Sequence, residues 1–445
     1  MQKYEEYKES GIEWIGEIPT DWNVMRLRYR GKSIIGITYK PEQVVSNKED
    51  GILVLRSSNV QNGKLDFKDN VYVNKEINEN QLTKEGDILV CARNGSAHLV
   101  GKSAYIPKEW ENVTFGAFMS IVRTDLDKFL FYYFNSQVFK GQKGLFATST
   151  INQLTSNMLN NLDIPVPPTK SQQTTISNYL DRKTAEIDKL LSEKKALAEL
   201  YKEEKTAIIN QVITKGVNPD ATMKDSGIEW LGKVPKHWEV KKLKYVAKML
   251  SGNAFSSQDF CESGIQLIKI SNLYNNHLSL DRQPTFLPLE YENKYQNWIV
   301  TNGDILMSMT GTLGKRDYGF AILISNTKNK FLLNQRVSKL HSYSDVTSKL
   351  FLSILRSEYF LNNLFSKPSG TKQGNFSNED VLNLKLAYPM SDNEQSQIVQ
   401  YIEKESQRID KKISKAEKYI TLLTEYRTAL ISEVVTGKIK VTNEI

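Results

Sequence analysis

Apolar residues recur at alternating spacings of four and three along two stretches of this chain, and the pattern predicts two long amphipathic helices. The first stretch covers residues 171–213, contains no glycine or proline, and would form a helix of about 43 residues, roughly 64 Å long. The second repeats the pattern in the last quarter of the chain. The heptad positions are Leu180, Thr184, Ile187, Leu191, Lys194, Ala198, Tyr201, Lys205, Ile208 and Val212, then Ile402, Ser406, Ile409, Ile413, Ala416, Ile420, Leu423, Arg427, Leu430 and Val434.

Two arrangements would cover these apolar stripes. Each helix can pack on its own domain, or the two helices can pair with each other. Pairing covers both stripes at once, so we favour an intramolecular antiparallel coiled coil.

The chain also contains an internal repeat. Residues 8–24, KESGIEWIGEIPTDWNV, return as KDSGIEWLGKVPKHWEV at residues 224–240, and residues 161–214 align with residues 383–436. Each copy therefore has a shared head, a variable middle and a shared long helix. If a pseudo-two-fold axis relates the copies, the N-terminal and C-terminal residues should lie close together.

The variable middles show the short apolar runs and turn residues of a mixed α and β fold. The repeated Gly-Asp-Ile-Leu at residues 86–89 and 303–306 indicates a common scaffold. We expect strands at residues 52–55, 87–92, 265–270 and 304–309, helices at 127–139 and 346–365, and a capping box at 377–380.

These patterns predict an α+β protein with two mixed α/β domains separated by the two long helices. Prolines precede each helix (Pro165, Pro167 and Pro168, then Pro389), and a glycine follows each (Gly216 and Gly437). The predicted parts are residues 1–168 (N-terminal segment and first domain), 169–216 (central helix), 217–390 (linker and second domain) and 391–445 (C-terminal helix).

Composition narrows the functional class. No run of about 18 apolar residues is present to span a membrane, the first ten residues lack the apolar core of a signal peptide, and the two cysteines suit a reducing cytoplasm. The net charge is +8. Residues 17–168 hold 18 Lys and Arg against 16 Asp and Glu, whereas residues 233–390 hold 20 against 12. A basic second middle suits a phosphate backbone, although a solvated basic face would give the same count.

Three segments resemble catalytic motifs, and each fails on its residues. Residues 95–103 imitate a phosphate-binding loop but have five residues between the glycines and continue into a predicted strand. Pro219-Asp220 with Glu239-Val240-Lys241 imitates a metal nuclease, yet the first copy lacks it. Val166-Pro167-Pro168-Thr169 lacks the polar first residue and aromatic last residue of an amino-methyltransferase motif. The four histidines do not have the spacing of metal ligands, so we expect no metal site. Because all three motifs also fail, we expect no catalytic residue.

The repeated heads SGIEWIGEIP and SGIEWLGKVP, the segments NLDIPVPP and NLKLAYP before the helices, and the paired glutamines Gln173 and Gln395 carry a resemblance. With these features the chain closely resembles the specificity subunit of type I restriction-modification enzymes over essentially its whole length. Ala387-Tyr388-Pro389-Met390 departs from the usual proline-rich lead.

The resemblance implies two target recognition domains, each reading one half of a split, asymmetric double-stranded DNA site. It also implies two methyltransferase subunits docked on the helices, with restriction subunits completing the complex. S-adenosylmethionine, ATP and magnesium would be bound by those partners and no cofactor by this chain. A coiled-coil interaction scaffold without sequence-specific DNA reading is the alternative.

Polar and basic loop residues are our candidate DNA contacts, because Lys and Arg bind phosphates while Asn, Gln and Arg can also read base edges. Small residues near Gly311 and Gly370 would allow close backbone approach. The candidates are Arg93, Asn94, Ser96, Lys102 and Lys143 in the first domain, and Thr310, Thr312, Lys315, Arg316, Lys367, Ser369, Thr371, Lys372 and Gln373 in the second.

Overall fold

The computed structural model describes residues 2–146, 152–325, 327–343, 346–366 and 373–442, without the side chains of Lys143, Leu145, Phe146 and Gln373. The chain forms two compact units, which we call unit 1 (Met1–Lys195 and Glu417–Ile445) and unit 2 (Ala196–Ala416). Helices and strands mix in both, which confirms the predicted α+β class. The division into four parts that we predicted from the repeat follows different boundaries from these two units, and it stays a prediction.

Within its described residues, unit 1 contains two four-stranded sheets. The first is antiparallel, in the order Ser103–Tyr105, Ile88–Cys91, Met119–Thr124, Gly31–Ile35. The second has the order Thr114–Phe115, Ile52–Leu55, Tyr72–Val73, Val44–Val45, with its first pair parallel. Two-stranded ladders join Tyr7–Glu9 to Glu17–Pro19, Asn23–Arg26 to Asp163–Val166, and Val60–Gln61 to Lys64–Leu65.

Unit 2 repeats the antiparallel sheet and three strands of the mixed sheet, but the fourth strand of the mixed sheet lies on the opposite edge. Its antiparallel sheet has the order Ala247–Ser251, Val337–Ser342, Ile305–Ser308, Ala321–Leu323. Its mixed sheet has the order Phe286–Leu287, Ile265–Ile268, Phe331–Leu333, Ile299–Val300. Two-stranded ladders join Met223–Asp225 to Lys233–Pro235, Glu239–Lys242 to Lys385–Tyr388, Leu273–Tyr274 to His277–Leu278, and Thr310–Thr312 to Gln373–Asn375. The strand Met223–Asp225 lies within residues 217–226, which we expected to form a linker.

Short helices connect the strands. In unit 1 the α-helices are Lys128–Phe134, Gln137–Phe146 and Ser156–Asn160, with 3-10 turns at Leu27–Tyr29, Pro41–Gln43, Ser57–Asn59, Glu79–Gln81, Ala97–Leu99 and Lys108–Trp110. In unit 2 they are Tyr291–Lys294, Ser348–Leu355, Glu358–Phe365 and Asn378–Leu382, with 3-10 turns at Leu243–Tyr245, Ser257–Asp259, Ile270–Asn272 and Gln296–Trp298. The predicted capping box is confirmed, since the Ser377 hydroxyl accepts from the Asp380 N–H and the Asp380 carboxylate accepts from the Ser377 N–H.

Two helices predicted as continuous are each broken in the middle. At the breaks the buried hydroxyls of Ser136 and Ser357 donate to the carbonyls of Tyr133 and Ile354, both at 2.6 Å. Such local bonds compete with helix continuation, so a new helix begins at the following residue in each unit. Apolar periodicity continued across both breaks, which is why the sequence predicted single helices.

The two long helices span Lys170–Lys215 and Asp392–Val435. A glycine with positive φ follows each helix: Gly216 directly after the first, at +74°, and Gly437 two residues after the second, at +72°. The predicted antiparallel coiled coil is confirmed. In unit 1 the buried Leu180 of the first helix shares a core with Leu430 of the second, and the same core contains the domain residue Trp22. Each apolar stripe is therefore covered both by the other helix and by a domain.

The paired glutamines fix the start of each long helix. The Gln173 side chain donates to the carbonyl of Pro167 at 3.1 Å, and Gln395 donates to that of Pro389 at 2.9 Å. Both side chains are buried. Pro165, however, lies within the strand Asp163–Val166 rather than in the turn before the helix.

The N-terminal and C-terminal residues of the described chain meet in unit 1, as predicted. Gln2 and Lys440 form an antiparallel bridge, with the Lys440 N–H 2.9 Å from the Gln2 carbonyl oxygen. The Tyr7 hydroxyl adds a bond to the Gly437 carbonyl at 3.3 Å. Across the described ranges, no helix combines the length and apolar character needed to cross a membrane, and no three His, Cys, Asp or Glu side chains gather as metal ligands.

Candidate nucleic-acid interface

An open cleft of about 1040 Å³ lies in unit 1 where several strands end. The loop after strand Ile88–Cys91 forms one wall, and the turn before strand Met119–Thr124 forms another. Its floor follows the end of strand Ile52–Leu55. Polar and aromatic lining residues are Thr38, Tyr39, Arg56, Ser57, Ser58, Asp69, Arg93, Asn94, Phe118 and Asn152.

Backbone pairing holds the predicted residues Arg93 and Asn94 at this cleft. Arg93 forms an isolated antiparallel bridge with Gln153. The Asn94 amide donates to the Ser57 hydroxyl at 3.0 Å, and its side-chain oxygen accepts from the Ser96 N–H at 3.0 Å. Asn94 therefore shapes the loop, whereas Arg93 is exposed and its guanidinium lies 5.3 Å from the centre of the Phe118 ring.

The turn at residues 116–119 presents Phe118 beside Arg93. The Met119 N–H donates to the Gly116 carbonyl at 2.8 Å and closes the turn. The carbonyl of Phe118 accepts from Ala92 at 2.9 Å and from Arg93 at 3.0 Å, so the backbone is fixed on both sides. The Phe118 side chain is nevertheless 58% exposed, a position in which an aromatic ring is available for contact with a ligand.

Arg56 enters the cleft from the end of strand Ile52–Leu55. Its side chain is about one-third exposed, and its guanidinium forms an ion pair of 2.8 Å with Asp69. Asn59 supports this corner from below: its buried amide accepts from the Arg56 N–H at 2.9 Å and donates to the Asp66 carbonyl at 2.9 Å. Arg56 therefore brings a positive charge that is partly neutralised by Asp69.

Unit 2 builds the same edge with different side chains. A turn at residues 334–337 closes through the Val337 N–H and the Asn334 carbonyl at 3.0 Å, and the Arg336 carbonyl accepts from Met309 at 3.1 Å. Gln335 and Arg336 are exposed at its centre. Lys269 occupies the position of Arg56, and its ammonium group donates to the Thr285 hydroxyl at 2.6 Å.

The other predicted contacts of unit 1 lie elsewhere or face inward. Ser96 is exposed and precedes the 3-10 turn Ala97–Leu99. The Lys102 ammonium group donates to the Val60 carbonyl at 2.9 Å, and burial lowers its pKa. The structure therefore does not bring Lys102 to the cleft. Lys143 belongs to the helix Gln137–Phe146, but its side chain lies outside the described part.

In unit 2 the two-stranded ladder Thr310–Thr312 with Gln373–Asn375 contains several predicted contacts. Thr312 is exposed but engaged, because its hydroxyl donates to Asp317 at 2.7 Å and this bond lowers the pKa of the Asp317 carboxyl. Lys315 is exposed in the turn that follows the strand Thr310–Thr312, where its N–H donates to the Thr312 carbonyl at 3.0 Å. Arg316 pairs with Glu358 at 2.8 Å and also bonds Asn362.

The remaining predicted contacts of unit 2 fall in or beside a segment that the structure does not describe. Gln373 pairs with Thr312 through the backbone, and its side chain is outside the described part. Lys367, Ser369, Thr371 and Lys372, together with Gly370, lie outside the described residues.

We expected Gly311 to allow DNA to approach the backbone closely, but in the structure it makes room for a side chain of the protein. It pairs directly with Gly374, and a methyl group on Gly311 would lie 2.4 Å from the Tyr318 ring. A methyl group on Gly374 would lie 2.1 Å from the Tyr318 hydroxyl. The space left by the two glycines is thus filled by Tyr318 instead of being open to a ligand.

Sequence reasoning missed Arg56, Phe118, Lys269, Gln335 and Arg336. The signal that reveals them is an alignment of the two middles. RSSNVQNGKL at residues 56–65 matches KISNLYNNHL at 269–278, and GAFM at 116–119 matches NQRV at 334–337. Our candidate DNA contacts were chosen only among polar and basic loop residues, so the exposed Phe118 was not considered.

Comparison with known proteins identifies the family to which both copies of the repeat belong. The model of the type I restriction modification DNA specificity domain matches the chain twice, at residues 19–200 and 235–418. The chain belongs to this family. The predicted resemblance to type I specificity subunits is therefore confirmed, and the two matches follow the internal repeat.

Relatives and solved structures agree with this assignment. The chain is 27% identical to the type I restriction enzyme MjaVIII specificity subunit of Methanocaldococcus jannaschii, over 100% of this chain and 98% of that protein. It is 28% identical to the EcoKI specificity subunit of Escherichia coli, over 66% of this chain and 62% of that protein. A chain from a solved type I restriction-modification system shares the fold with a TM-score of 0.67 at 15% identity, covering 95% of this chain and 99% of that chain. The HsdS subunit of Thermoanaerobacter tengcongensis gives 0.53 at 14% identity, covering 95% and 98%.

Proposed function

We propose that this chain is the recognition subunit of a type I restriction-modification complex, that it reads a bipartite asymmetric double-stranded DNA site, and that it contributes no catalytic residue. One observation carries this proposal. Units 1 and 2 place the same backbone turn at the same sheet edge, but the exposed side chains on the two turns differ. Two copies of one scaffold with different reading surfaces suit a site whose two halves have different sequences.

The docking of two methyltransferase subunits is the second part of the proposal. Trp14 in unit 1 and Trp230 in unit 2 occupy the same position of the repeated head and are 40% and 58% exposed. An exposed tryptophan is a typical anchor of protein interfaces, and two identical partners would need the same anchor twice. Restriction subunits would join the complex, with S-adenosylmethionine, ATP and magnesium bound by the partner subunits, all in the cytoplasm.

A selection experiment tests the DNA-reading part. The whole chain is assembled with its methyltransferase partner and mixed with random duplexes, and the bound duplexes are sequenced. We expect one motif with two defined halves and a fixed gap. Mapping methylated adenines in host genomes with and without this gene should return the same motif.

The scaffold alternative predicts a different result. An assembly that forms normally but enriches no bipartite sequence would contradict DNA reading and favour a coiled-coil interaction scaffold. Detectable methylation by the isolated chain would contradict the claim that it contributes no catalytic residue.

The docking part has its own test. Replacing both Trp14 and Trp230 by alanine should weaken binding of the methyltransferase subunit by about 2 kcal/mol or more per site, measured by calorimetry on the whole chain. The matched control is Leu289→Ala, which removes a side chain that is 69% exposed and lies outside the repeated head. Equal affinity of the double variant and the control would place the docking surface elsewhere.

A further inference from the structure

The turn at residues 116–119 and its counterpart at 334–337 are held by the same contacts in both units. A glycine packs its backbone directly against each turn. A methyl group on Gly36 would lie 2.3 Å from the Gly116 carbonyl oxygen, and one on Gly252 would lie 2.1 Å from the Asn334 carbonyl oxygen. Side chains larger than hydrogen are thus excluded at both glycines, and the turns are rigidly supported.

Hydrogen bonds complete this support. The Gly36 N–H donates to the Met119 carbonyl at 3.2 Å, and the Gly252 N–H donates to the Val337 carbonyl at 2.9 Å. Parallel bridges follow at Ile37 with Gly116 and at Asn253 with Asn334. A backbone fixed in this way presents its central side chains in a defined direction, which is what precise recognition of a ligand requires.

The side chains at the centre of each turn differ in chemistry. Unit 1 has Ala117 and Phe118, and unit 2 has Gln335 and Arg336. The neighbouring loops differ as well. In unit 1 this loop places Arg93 beside Phe118, whereas in unit 2 the position equivalent to Arg93 is occupied by Thr310. An arginine is therefore present at the centre of the turn in unit 2 and beside it in unit 1, where the second arginine of the cleft, Arg56, is paired with Asp69.

Base-pair chemistry distinguishes these side chains. Arginine donates two hydrogen bonds to the O6 and N7 atoms of guanine, and glutamine pairs with adenine in the same bidentate manner. Phenylalanine has no hydrogen-bonding group, but its ring makes apolar contact with the thymine methyl group. Arginine and phenylalanine at the same place would thus select different bases.

We propose that this turn is a specificity-determining element in both units: Arg336 reads a guanine in the half-site of unit 2, and Phe118 contacts a thymine methyl group in the half-site of unit 1. The inference rests on the proposed DNA-reading function and deepens it. Gln335 adds a hydrogen-bonded contact to a neighbouring base in unit 2, whereas Ala117 has no hydrogen-bonding side chain in unit 1.

Single substitutions in the whole chain, assembled with its methyltransferase partner, test each half separately. Arg336→Ala should lower discrimination at one G·C pair by roughly 5- to 150-fold and leave the other half-site unchanged. Arg336→Lys retains the charge but not the bidentate geometry, so it should also relax that position. Phe118→Ala should lower discrimination at one T·A pair of the other half-site by about fourfold, the value of one methyl group. The readout is the sequence motif enriched from random duplexes.

Exchange of the turn centres provides the sharper experiment. The double variant A117Q/F118R should replace the preference of unit 1 at that position with guanine, and Q335A/R336F should remove the guanine preference from unit 2. Folding of the altered unit is checked by the other positions of its own half-site, which each variant must still select.

The outcomes separate the inference from the proposed function. If the unaltered assembly selects no bipartite motif, the proposed function fails. If it selects one and Arg336→Ala returns the identical motif, the turn does not determine specificity. A uniform loss of affinity with an unchanged motif would show a phosphate contact and would overturn the inference as well.

Discussion

Units 1 and 2 agree at key buried positions of the repeat and differ at the exposed centres of their turns. Trp22 and Trp238 are almost completely buried at equivalent positions, as are Gln173 and Gln395 at the starts of the long helices. The exposed turns share a backbone but no side chain at their centres. The comparison indicates that folding constrains the buried repeated residues, while the side chains at the exposed turn centres are free to differ between the two units.

Removing the buried tryptophans should have the largest effect on stability. Trp22→Ala and Trp238→Ala each leave a large cavity, and we expect a loss of about 3–5 kcal/mol in the unfolding free energy of the affected unit. Denaturant titration of the whole chain measures this loss. Trp230→Ala is the matched control, since that ring is exposed and its removal should change stability by about 0.5 kcal/mol or less. Equal losses for Trp238→Ala and Trp230→Ala would contradict the division between buried frame and exposed surface.

The repeat accounts for most of what the sequence predicted correctly. The repeated heads, the long helices, the glycines that follow them and several strands could be predicted. They depend on local patterns, which are visible as apolar periodicity and as sequence segments that occur twice. The continuous helices were wrong because the buried Ser136 and Ser357 interrupt the backbone without disturbing the apolar pattern.

The candidate site was less predictable for a physical reason. Polar loop residues often bond within the protein, and sequence does not reveal the partner. Lys102 bonds the carbonyl of Val60, and Arg316 pairs with Glu358, although both were predicted to contact DNA. Phe118 was missed because an apolar residue in a loop is usually covered, and its exposure depends on the folded turn.

Each unit contains a buried aspartate at the same position of the repeat, but the two aspartates have different partners. The side chain of Asp87 is 1% exposed and pairs with Arg123, itself 21% exposed, at 2.7 Å. The Asp304 side chain is 6% exposed and meets His341, which is 64% exposed, at 3.1 Å. The hydrogen bond to Asp87 also raises the pKa of Arg123, so that cation stays charged.

Substitution of this aspartate should therefore cost more in unit 1. We expect Asp87→Asn to lower the unfolding free energy by about 1–3 kcal/mol, because a partly buried guanidinium loses its counter-charge. Asp304→Asn should cost less than about 1 kcal/mol, because water can solvate His341. Thermal or denaturant unfolding measures both. A larger loss for Asp304→Asn would show that exposure of the partner does not set the energy of the pair.

The smallest expected effect concerns an ion pair that occurs once in each unit at equivalent positions of the long helices. Asp188 pairs with Arg427 at 2.9 Å, and Asp410 pairs with Lys205 at 2.8 Å. The Asp188 carboxylate also lies 3.3 Å from the ammonium group of Lys64, and its side chain is 29% exposed against 56% for Asp410.

Double-mutant cycles should resolve this last difference. The Asp188–Arg427 coupling should approach about 1 kcal/mol and the Asp410–Lys205 coupling should stay near 0.3 kcal/mol, because greater exposure increases screening by water. Raising the salt concentration should reduce the second coupling proportionally more. Equal couplings in the two units would mean that helix geometry alone sets the strength of this pair and that the surrounding domain, which differs between the units, has no influence on it.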